Sequence, residues 1–509
     1  NLDNGHTCLP AERLLPAAAG ILGESDAMPE ALEELVELHE LEEYYRNDRR
    51  FIYLPDLYEA ETAAAGRLRM MLHDLCEDSD AALNRSIELL EEELGIEYDS
   101  LQKKALREAV RNHVFVLTGG PGTGKTTTLN ALIRLLEQQG DTVMLAAPTG
   151  RAAKRLTELT GKDAKTIHRL LEVDYTSDEM HPVFRKNEKN PLKCNTLIVD
   201  EMSMVDSVLF DSLLRALSFS CRLIMVGDSD QLPSVGAGNV LHDLLSSDIL
   251  PSVTLTTIFR QAAESMIVTS AHDIVNGEHP YLECKDNDFF FMPRGSEAEC
   301  AATVCQLCEK RLPKAYDLSP MWDIQVLCPG KRGEAGTWGL NIALQKALNP
   351  PAKGKKEHTQ NGRLFREGDK VMQVRNNYDM VWKKDDGEMG QGIFNGDIGI
   401  IERMDPALRM MAIRFDDRVA DYPYDSLGEL DHAYAITVHK SQGNEFEAVI
   451  IPLMDVSSRL CYRNLLYTAV TRAKKLLIIV GDARAVYTMV DNNRRTGRFT
   501  NLRYMLEEK

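Results

Sequence analysis

The chain has 509 residues, 44% of them hydrophobic, which exceeds what one core usually supports and predicts about three or four domains. No apolar run reaches the roughly eighteen residues of a membrane span, so no membrane association is expected. The net charge of −19 argues against a nucleic-acid partner only at first sight. Residues 1–100 carry 25 Asp and Glu against 7 Arg, a balance of −18 that leaves −1 for the other 409 residues.

The N-terminal 95 residues are predicted to form an acidic domain of their own. Short helical patterns precede a strand-like run at Arg49–Pro55, which predicts a small winged-helix-like module, although an ordinary helical cap fits the same pattern. Residues 57–95 follow as two acidic amphipathic helices. Their charge would repel phosphates, so we expect this segment to pack against the rest of the chain or to contact a protein partner, and not to bind nucleic acid. The chain begins at Asn1 without a signal-peptide pattern, which we interpret as a fragment lacking its natural N-terminus.

From about residue 100 onward, short apolar strands alternate with helices. Each strand ends in Gly, Pro or Asp, a pattern typical of a parallel sheet covered on both faces. Two tandem α/β domains are predicted from the strands at residues 114–119, 142–148, 196–201, 222–228, 323–329, 447–453 and 475–482. Residues 351–432 are rich in Gly, Asp and short β-like runs, which predicts a small SH3-like β-barrel inserted in the second domain.

The segment TGGPGTGKTTT, residues 118–128, follows a predicted strand and precedes a helix, as a phosphate-binding P-loop requires. Its glycines let backbone N–H groups surround phosphates, and the helix N-terminus adds its positive end. Lys125 is predicted to reach the β- and γ-phosphates and Thr126 to hold Mg²⁺. The predicted ATP contacts of the loop are Gly120, Pro121, Gly122, Thr123, Gly124, Lys125, Thr126 and Thr127.

Two carboxylates, Asp200 and Glu201, end an apolar strand 75 residues after Lys125. An Asp-Glu pair at a strand end is common by itself, but this spacing, with one strand between, favours a catalytic pair. Asp200 suits the Mg²⁺ shell, and Glu201 is placed to polarise the attacking water.

Gln231, Arg260 and Arg472 are candidates to sense or neutralise the γ-phosphate. A single arginine more often forms a surface salt bridge, but one arginine lies at the end of each α/β unit. This arrangement suggests a site completed across a cleft, where an arginine can raise the rate by orders of magnitude.

Cys305 and Cys308 form a lone CxxC pair with Cys300 nearby. Their helical spacing beside Ala, Val and Leu predicts buried structural thiols, and no second pair or His cluster completes a zinc site. Ten cysteines spread over the chain fit a reduced, cytoplasmic location.

In their order along the chain, these motifs resemble those of superfamily 1 helicases, and most of all the RecD-like branch related to the alpha subunit of exodeoxyribonuclease V. The resemblance covers about residues 95–485. It is carried by Gln102 and by GGPGTGKTTT, APTGRAAKRL, TIHRLL, VDEMSM, GDSDQLPSVGAG, TTIFRQ, YAITVHKSQGNEF and NLLYTAVTRAKKLLIIVG. It implies two RecA-like domains that clamp ATP and move 5′ to 3′ on single-stranded DNA, and the direction rests on the resemblance alone.

The resemblance also implies residue roles. Gln102 would read adenine, and Gln231, Arg260 and Arg472 would contact the γ-phosphate. Residues in motifs that touch DNA or couple it to ATP are Pro148, Thr149, Gly150, Arg151, Thr166, His168, Thr437, His439, Lys440 and Ser441. His168 by itself would ordinarily be a structural histidine. The barrel is expected beside the DNA channel.

Residues 172–190 are long for a loop in an α/β domain. The apolar Val173 and Phe184 flank a polar turn at Thr176–Glu179, which predicts a β-hairpin. RecD-like helicases use a similar hairpin as a pin that splits the duplex, a role that would include Phe184. A surface excursion without a role is the alternative.

The predicted fold is α/β, with two RecA-like P-loop domains that carry a β-hairpin and a barrel as inserts, preceded by a mainly helical domain. The predicted boundaries are 1–95, 96–262 with the hairpin insert 172–195, 263–350, 351–432 and 433–509. The predicted function is an ATP- and Mg²⁺-dependent DNA helicase of recombination or repair, acting on single strands and on junctions with duplex. A superfamily 1 RNA helicase and a non-catalytic ATP-binding subunit of a repair complex remain open.

Overall fold

Strands and helices alternate through most of the chain in the computed structural model, which describes residues 4–23, 26–72, 80–174, 183–284, 287–493 and 497–508, without the side chains of Asp80, Asp174, Arg260 and Gln261. The strands are β1 (Cys8–Pro10), β2 (Glu42–Arg46), β3 (Arg49–Tyr53), β4 (Val114–Gly119), β5 (Val143–Ala147), β6 (Ala164–Thr166), β7 (Val173–Asp174), β8 (Val183–Phe184), β9 (Thr196–Val199), β10 (Arg222–Gly227), β11 (Ser252–Leu255), β12 (Phe289–Pro293), β13 (Ile324–Cys328), β14 (Glu357–Gln360), β15 (Arg363–Arg366), β16 (Lys370–Gln373), β17 (Asn377–Lys384), β18 (Met389–Ile393), β19 (Ile398–Asp405), β20 (Met410–Phe415), β21 (Arg418–Pro423), β22 (Leu430–His432), β23 (Ala435–Thr437), β24 (Phe446–Leu453) and β25 (Ala473–Gly481).

The α-helices cover both faces of the two parallel sheets and extend to both ends of the described chain. They are α1 (Ala11–Leu22), α2 (Met28–Glu37), α3 (Pro55–Leu72), α4 (Asp80–Leu94), α5 (Ser100–Arg111), α6 (Lys125–Gln138), α7 (Gly150–Thr160), α8 (Ile167–Leu170), α9 (Ser207–Arg215), α10 (Val240–Ser246), α11 (Arg260–Ala263), α12 (Met266–Asn276), α13 (Glu297–Gln306), α14 (Leu312–Tyr316), α15 (Thr337–Leu348), α16 (Arg463–Val470), α17 (Ala483–Asp491) and α18 (Leu502–Glu507). Across the described ranges, no helix is long and apolar enough to cross a membrane.

The chain divides into two compact units. Of the described residues, the first unit contains 4–148, 152–258 and 497–508, and the second contains 149–151 and 259–493. Residues 497–508 were predicted as the end of the second RecA-like domain, but they pack with the first unit.

A six-stranded parallel sheet forms the centre of the first unit, in the order β11-β4-β10-β9-β5-β6. Its four predicted strands are confirmed as β4, β5, β9 and β10. Alternate residues of β4 face opposite cores, with Val114 and Val116 on one side and Phe115 and Leu117 on the other. Helices cover both faces, which explains the uninterrupted apolar runs. The order places the carboxyl ends of β4, β10 and β9 side by side.

The N-terminal segment is built into these same two cores. β1, β3 and β2 form an antiparallel sheet, and Asn47 and Asp48, with φ of 49° and 59°, make the left-handed two-residue turn that joins β2 to β3. Two helices precede this hairpin, and the winged-helix-like assignment stays a prediction. α3 buries Leu57 and Leu68 in one core, and α4 buries Ile87 in the other. Most of the acidic side chains therefore lie on the outside of helices whose inner faces support the parallel sheet, and Glu61 of α3 is a buried exception.

The C-terminal helix α18 joins the first of these cores through Leu502, Met505 and Leu506. Just before it, the Asn501 N–H donates to Glu61 Oε2 at 3.0 Å, and the Asn501 side-chain amide donates to the Tyr53 hydroxyl at 2.7 Å. The Tyr53 hydroxyl itself donates to Glu61 Oε2 at 2.9 Å. This buried network ties the C-terminal segment to β3 and α3.

A five-stranded parallel sheet forms the centre of the second unit, in the order β12-β25-β24-β13-β23. The three strands predicted here are confirmed as β13, β24 and β25. Cys300 and Cys308 are buried in its core, and Cys305 packs partly against it. Burial raises the pKa of the Cys308 thiol to about 12, as expected for a structural cysteine.

Residues between α15 and β23 form the predicted insert. Seven strands pair in the antiparallel order β18-β17-β21-β20-β19-β16-β22 around their own apolar core, and β14 pairs with β15 beside them. Asp369 anchors the insert because its fully buried carboxylate accepts from Gln345, Asn349 and Tyr434 at 2.6, 2.7 and 2.9 Å. The insert is thus fixed to α15 and to the start of β23.

Candidate functional site

The P-loop turns sharply between β4 and α6. Gly122 and Gly124 have φ of 72° and 80°, a left-handed conformation that glycine adopts without strain. The Thr123 hydroxyl donates to Gly120 O at 2.8 Å across the turn. The Lys125 ammonium donates to Gly119 O and, at 3.0 Å, to Gly120 O, so its charge lies inside the loop. A phosphate bound in the loop would meet both this charge and the N-terminus of α6.

The predicted carboxylates lie two strands from the P-loop strand at the same sheet edge. Asp200 Oδ1 accepts from the Glu201 N–H at 2.8 Å, and Glu201 has a φ of 54°. The left-handed backbone is strained for a glutamate and turns its side chain out of the strand direction. Burial and then the Glu201 charge raise the pKa of Asp200, while Lys125 and Arg155 lower it. The Asp200 carboxylate therefore lies close enough to Lys125 and Arg155 to interact with both charges.

Gln231 follows β10, the strand between β4 and β9. Its side-chain amide donates to Asp228 Oδ2 at 3.2 Å, and Asp228 Oδ1 also accepts from the Asp230 N–H at 3.0 Å. Asp228 is buried and thus orients the amide of Gln231. The Asp228 side chain was not predicted, although it precedes Gln231 in the motif GDSDQ.

Gln102 is buried against the P-loop, and its side chain also caps the N-terminus of α5. Its Oε1 accepts from the Asp99 N–H at 3.1 Å, and Asp99 Oδ1 accepts from the Gln102 N–H at 2.7 Å, which forms a capping box for α5. The remaining amide group points to Gly124 O at 3.4 Å. Adenine recognition by Gln102 stays a prediction, and the contact to Gly124 places the residue beside the nucleotide loop.

The two predicted arginines belong to the second unit. Arg260 begins α11, and its side chain lies outside the described part of the structure. Arg472 is buried between α16 and β25, where it donates to Thr468 O and Asn444 O, each at 3.2 Å. These carbonyls hold the guanidinium without cancelling its charge, because no carboxylate among the described residues pairs with it.

The predicted DNA-coupling residues of the first unit follow β5 and β6. Pro148 ends the first-unit part of its loop, while Thr149, Gly150 and Arg151 group with the second unit. Thr166 caps α8 by accepting from the Arg169 N–H at 3.2 Å. Burial lowers the pKa of His168, which favours the neutral ring.

The structure describes the base of the predicted hairpin, where β7 pairs antiparallel with β8. The predicted turn, Thr176–Glu179, lies outside the described residues. Phe184 packs partly against the core of the first unit, and its ring centroid lies 5.9 Å from that of His168. Phe184 thus anchors the hairpin at its base, and the strand-separating role stays a prediction for the hairpin as a whole.

A groove of about 580 Å³ in the second unit lies between α15 and the insert. The predicted residues Thr437 and Lys440 line it, together with Lys331, Arg363 and Trp338, which were not predicted. Trp338 is 57% exposed. His439 lies in the same turn after β23, and Ser441 is buried and donates to Val438 O at 2.7 Å. Asp431 also lines the groove, where its carboxylate pairs with Arg363 and, at 2.9 Å, with Lys440. The groove thus combines an aromatic side chain with three cations and one carboxylate, a net positive lining that suits single-stranded nucleic acid.

Three family models match parts of the chain. They are described as an AAA domain at residues 102–237, an ATP-dependent RecD-like DNA helicase SH3 domain at 340–415, and a UvrD-like helicase C-terminal domain at 432–480. The RecBCD enzyme subunit RecD of Mycobacterium tuberculosis is 31% identical over 442 residues, which cover 80% of this chain and 73% of that protein. The chain belongs to the RecD helicase family.

An ATP-dependent RecD2 DNA helicase of Deinococcus radiodurans is 34% identical to this RecD family member over 440 residues. The match covers 85% of this chain and 56% of that protein, so the chain spans little more than half of this relative's length. A crystal structure of a Bacteroides Pif1 helicase with ADP-AlF3 and ssDNA is 22% identical, covers 77% of this chain and 94% of that one, and has a TM-score of 0.45.

Proposed function

We propose that this chain is the motor of an ATP-dependent DNA helicase that moves 5′ to 3′ on single-stranded DNA and unwinds duplex DNA in recombination or repair. The observation that supports it most is the grouping of Lys125, Asp200, Glu201 and Gln231 at one edge of one sheet, on the neighbouring strand ends β4, β9 and β10. Membership of the RecD family supports DNA as the substrate.

The residues of the first unit divide the work of hydrolysis. Lys125 binds the β- and γ-phosphates, Glu201 orients the attacking water, and Gln231 contacts the γ-phosphate. Thr126 and Asp200 would hold Mg²⁺, which when bound neutralises phosphate charge. The residues fit this ion, because Mg²⁺ prefers oxygen ligands and both a hydroxyl and a carboxylate supply them. The negative charge of Glu201 beside Asp200, which raises the Asp200 pKa, would also favour a cation there. The roles of Arg260 and Arg472 at the γ-phosphate stay predictions from the resemblance.

The groove beside α15 is the proposed path of the DNA strand through the second unit. Lys331 would contact a phosphate, Arg363 and Lys440 would do so while they also pair with Asp431, and Trp338 would stack on a base. The substitution Trp338→Ala should weaken binding of a single-stranded oligonucleotide by about tenfold, because stacking on an aromatic side chain contributes roughly 1–3 kcal/mol per base. Trp322→Ala is the matched control, because Trp322 is also exposed and does not line the groove. Equal affinities for both variants would exclude this path.

The hairpin of β7 and β8 would separate the strands of a junction while the motor pulls on one of them. The acidic outer face of the N-terminal segment would contact a protein partner, since like charge disfavours DNA there. A cytoplasmic location stays a prediction from the cysteine content.

ATP hydrolysis with single-stranded DNA, with RNA of the same sequence and with neither separates the three candidate functions. We expect stimulation by DNA and its loss in Lys125→Ala, with Lys162→Ala as the control because Lys162 pairs with Glu137 on the surface. Stimulation by RNA alone would favour an RNA helicase. Nucleotide binding without turnover would favour a non-catalytic subunit. A displacement assay with 5′ and 3′ overhangs then tests the direction.

A further inference from the structure

The C-terminal segment of the chain contacts the loop that follows Gln231. Arg498 is the central residue of this contact, and it lies in the first unit although α17, which precedes it, belongs to the second. Its guanidinium donates to Ser234 O at 2.5 Å, Ser234 Oγ at 3.1 Å, Gly236 O at 2.9 Å and Gly238 O at 2.6 Å. One side chain thus satisfies three carbonyls of a loop that has no regular secondary structure.

The opposite side of this loop, residues 232–238, rests on the segment that follows Glu201. The Ser207 N–H donates to Ala237 O at 3.0 Å, at the start of α9. Gly236 and Gly238 approach so closely that an added Cβ would lie 2.2 Å from Asp206 Oδ2 and 2.1 Å from Ser207 Oγ. The loop is therefore held between α9 and Arg498.

The N-terminal residues complete the enclosure. The Gly238 N–H donates to Gly5 O at 3.0 Å. Gly5 has a φ of 74°, and a Cβ there would lie 2.3 Å from the Arg498 guanidinium carbon. His6 Nδ1 accepts from the Phe499 N–H at 3.0 Å. Both ends of the described chain meet at this loop.

We propose that Arg498 is a positioning residue of the ATPase site, which fixes the loop 232–238 and thereby the placement of Gln231 for hydrolysis. This inference rests on the proposed function, because it assumes that Gln231 contacts the γ-phosphate. Gln231 contacts Asp228 on the strand side through its side-chain amide at 3.2 Å and its N–H at 3.4 Å, and on the other side its backbone continues directly into the loop. The placement of its backbone therefore depends on the loop as well as on Asp228. A planar guanidinium can satisfy diverging carbonyls in a way that lysine cannot.

A double-mutant cycle tests the route through Gln231. We expect Arg498→Ala to lower the kcat of DNA-stimulated ATP hydrolysis about tenfold and to change the KM for ATP less than about twofold. In a Gln231→Ala background, the same substitution should cause no further loss, since the two residues act in series. Arg503→Ala is the matched control, because Arg503 lies on the same segment and pairs with Glu507 on the surface, away from the loop 232–238.

Hydrogen exchange of the backbone amides of residues 234–238, the part of the loop that Arg498 contacts, tests the contact itself, whatever the chain hydrolyses. Exchange should accelerate at least about tenfold in Arg498→Ala and stay at the parent level in Arg503→Ala. Equal losses of kcat in both backgrounds would overturn the positioning role, and unchanged exchange would overturn the contact. If Arg498→Ala does not fold, Arg498→Lys keeps the charge and is measured in the same way. A parent chain without ATPase would refute the proposed function, whereas exchange would still decide the contact.

Discussion

We predict that the stability of the first unit depends on pH through Glu61. Its carboxyl group is fully buried, and burial followed by the charge of Asp243 raises its pKa from 4.5 to about 7. Hydrogen bonds from the Asn501 N–H and from Thr7 and Tyr53 lower the pKa but do not offset burial. The folded chain therefore keeps a proton on Glu61 at pH values at which the unfolded chain has released it.

The sign of the effect follows from proton linkage. The stabilising contribution is complete below about pH 4.5 and is lost as the pH rises to about 7, because the folded state then has to bury a charge. The shift corresponds to about 3 kcal/mol of unfolding free energy at about 1.36 kcal/mol per pKa unit. Because no solvent reaches the group, little of this figure is lost to screening.

Glu61→Gln removes the titration and keeps the shape. Its carbonyl oxygen can still accept from Tyr53 and Asn501, so we expect a stability near that of the parent at pH 5. At pH 8.5 the variant should be more stable than the parent by about 2–3 kcal/mol. Glu59→Gln is the control, because Glu59 lies on the same helix, is exposed and pairs with Arg215.

Urea unfolding followed by circular dichroism and by hydrogen exchange of the first unit measures this difference. The three tryptophans, Trp322, Trp338 and Trp382, all lie in the second unit, so their fluorescence reports the other unit as an internal reference. Parallel pH profiles of Glu61→Gln and the parent between pH 5 and 8.5 would refute the buried-proton reasoning.

Three further predictions follow from the site and the fold. Glu201→Gln should bind ATP as the parent does but turn it over at least about a hundredfold more slowly, as measured by single-turnover hydrolysis; a collapse of affinity at unchanged turnover would make Glu201 a binding residue. Replacing residues 175–182 by a short Gly-Ser turn, with Phe184 kept as the anchor, should preserve DNA-stimulated ATPase and lower forked-duplex unwinding, and parental unwinding would place strand separation elsewhere. A chain that begins near Glu97 should lose its cooperative unfolding transition, because α3 and α4 bury Leu68 and Ile87 in the motor cores. A cooperative transition in calorimetry would show that these helices are dispensable.

Charge patterning alone suggested that the acidic N-terminal segment is separable from the motor. The balance of −18 describes its surface and carries no information about its inner face. The packing of Leu68 and Ile87 against the parallel sheet requires the partner residues to be known, and those partners are distant in sequence. The role of the acidic charge should therefore be tested by substituting exposed Asp and Glu residues of this segment, with α3 and α4 left in place.

The sequence by itself determined the elements whose signals are local. The apolar strands of both sheets and the P-loop at Gly120–Thr127 depend on neighbouring residues, and the carboxylates Asp200 and Glu201 follow from their place at a strand end. The insert at 351–432 was visible because turn residues alternate there with short apolar strands. Each of these features depends on periodicity or on spacing within a few dozen residues.

Only the tertiary structure decided which distant side chains meet. Arg498 is an ordinary arginine until the C-terminal segment returns to the loop at Ser234, a separation of 264 residues. Trp338 becomes part of a groove because the insert folds back beside α15. Gln102 occupies a capping box and the edge of the P-loop at once. Such contacts arise when the apolar faces of helices and sheets become buried and the polar groups buried with them need hydrogen-bond partners. The spacing of residues along the chain does not reveal which distant residues these partners are.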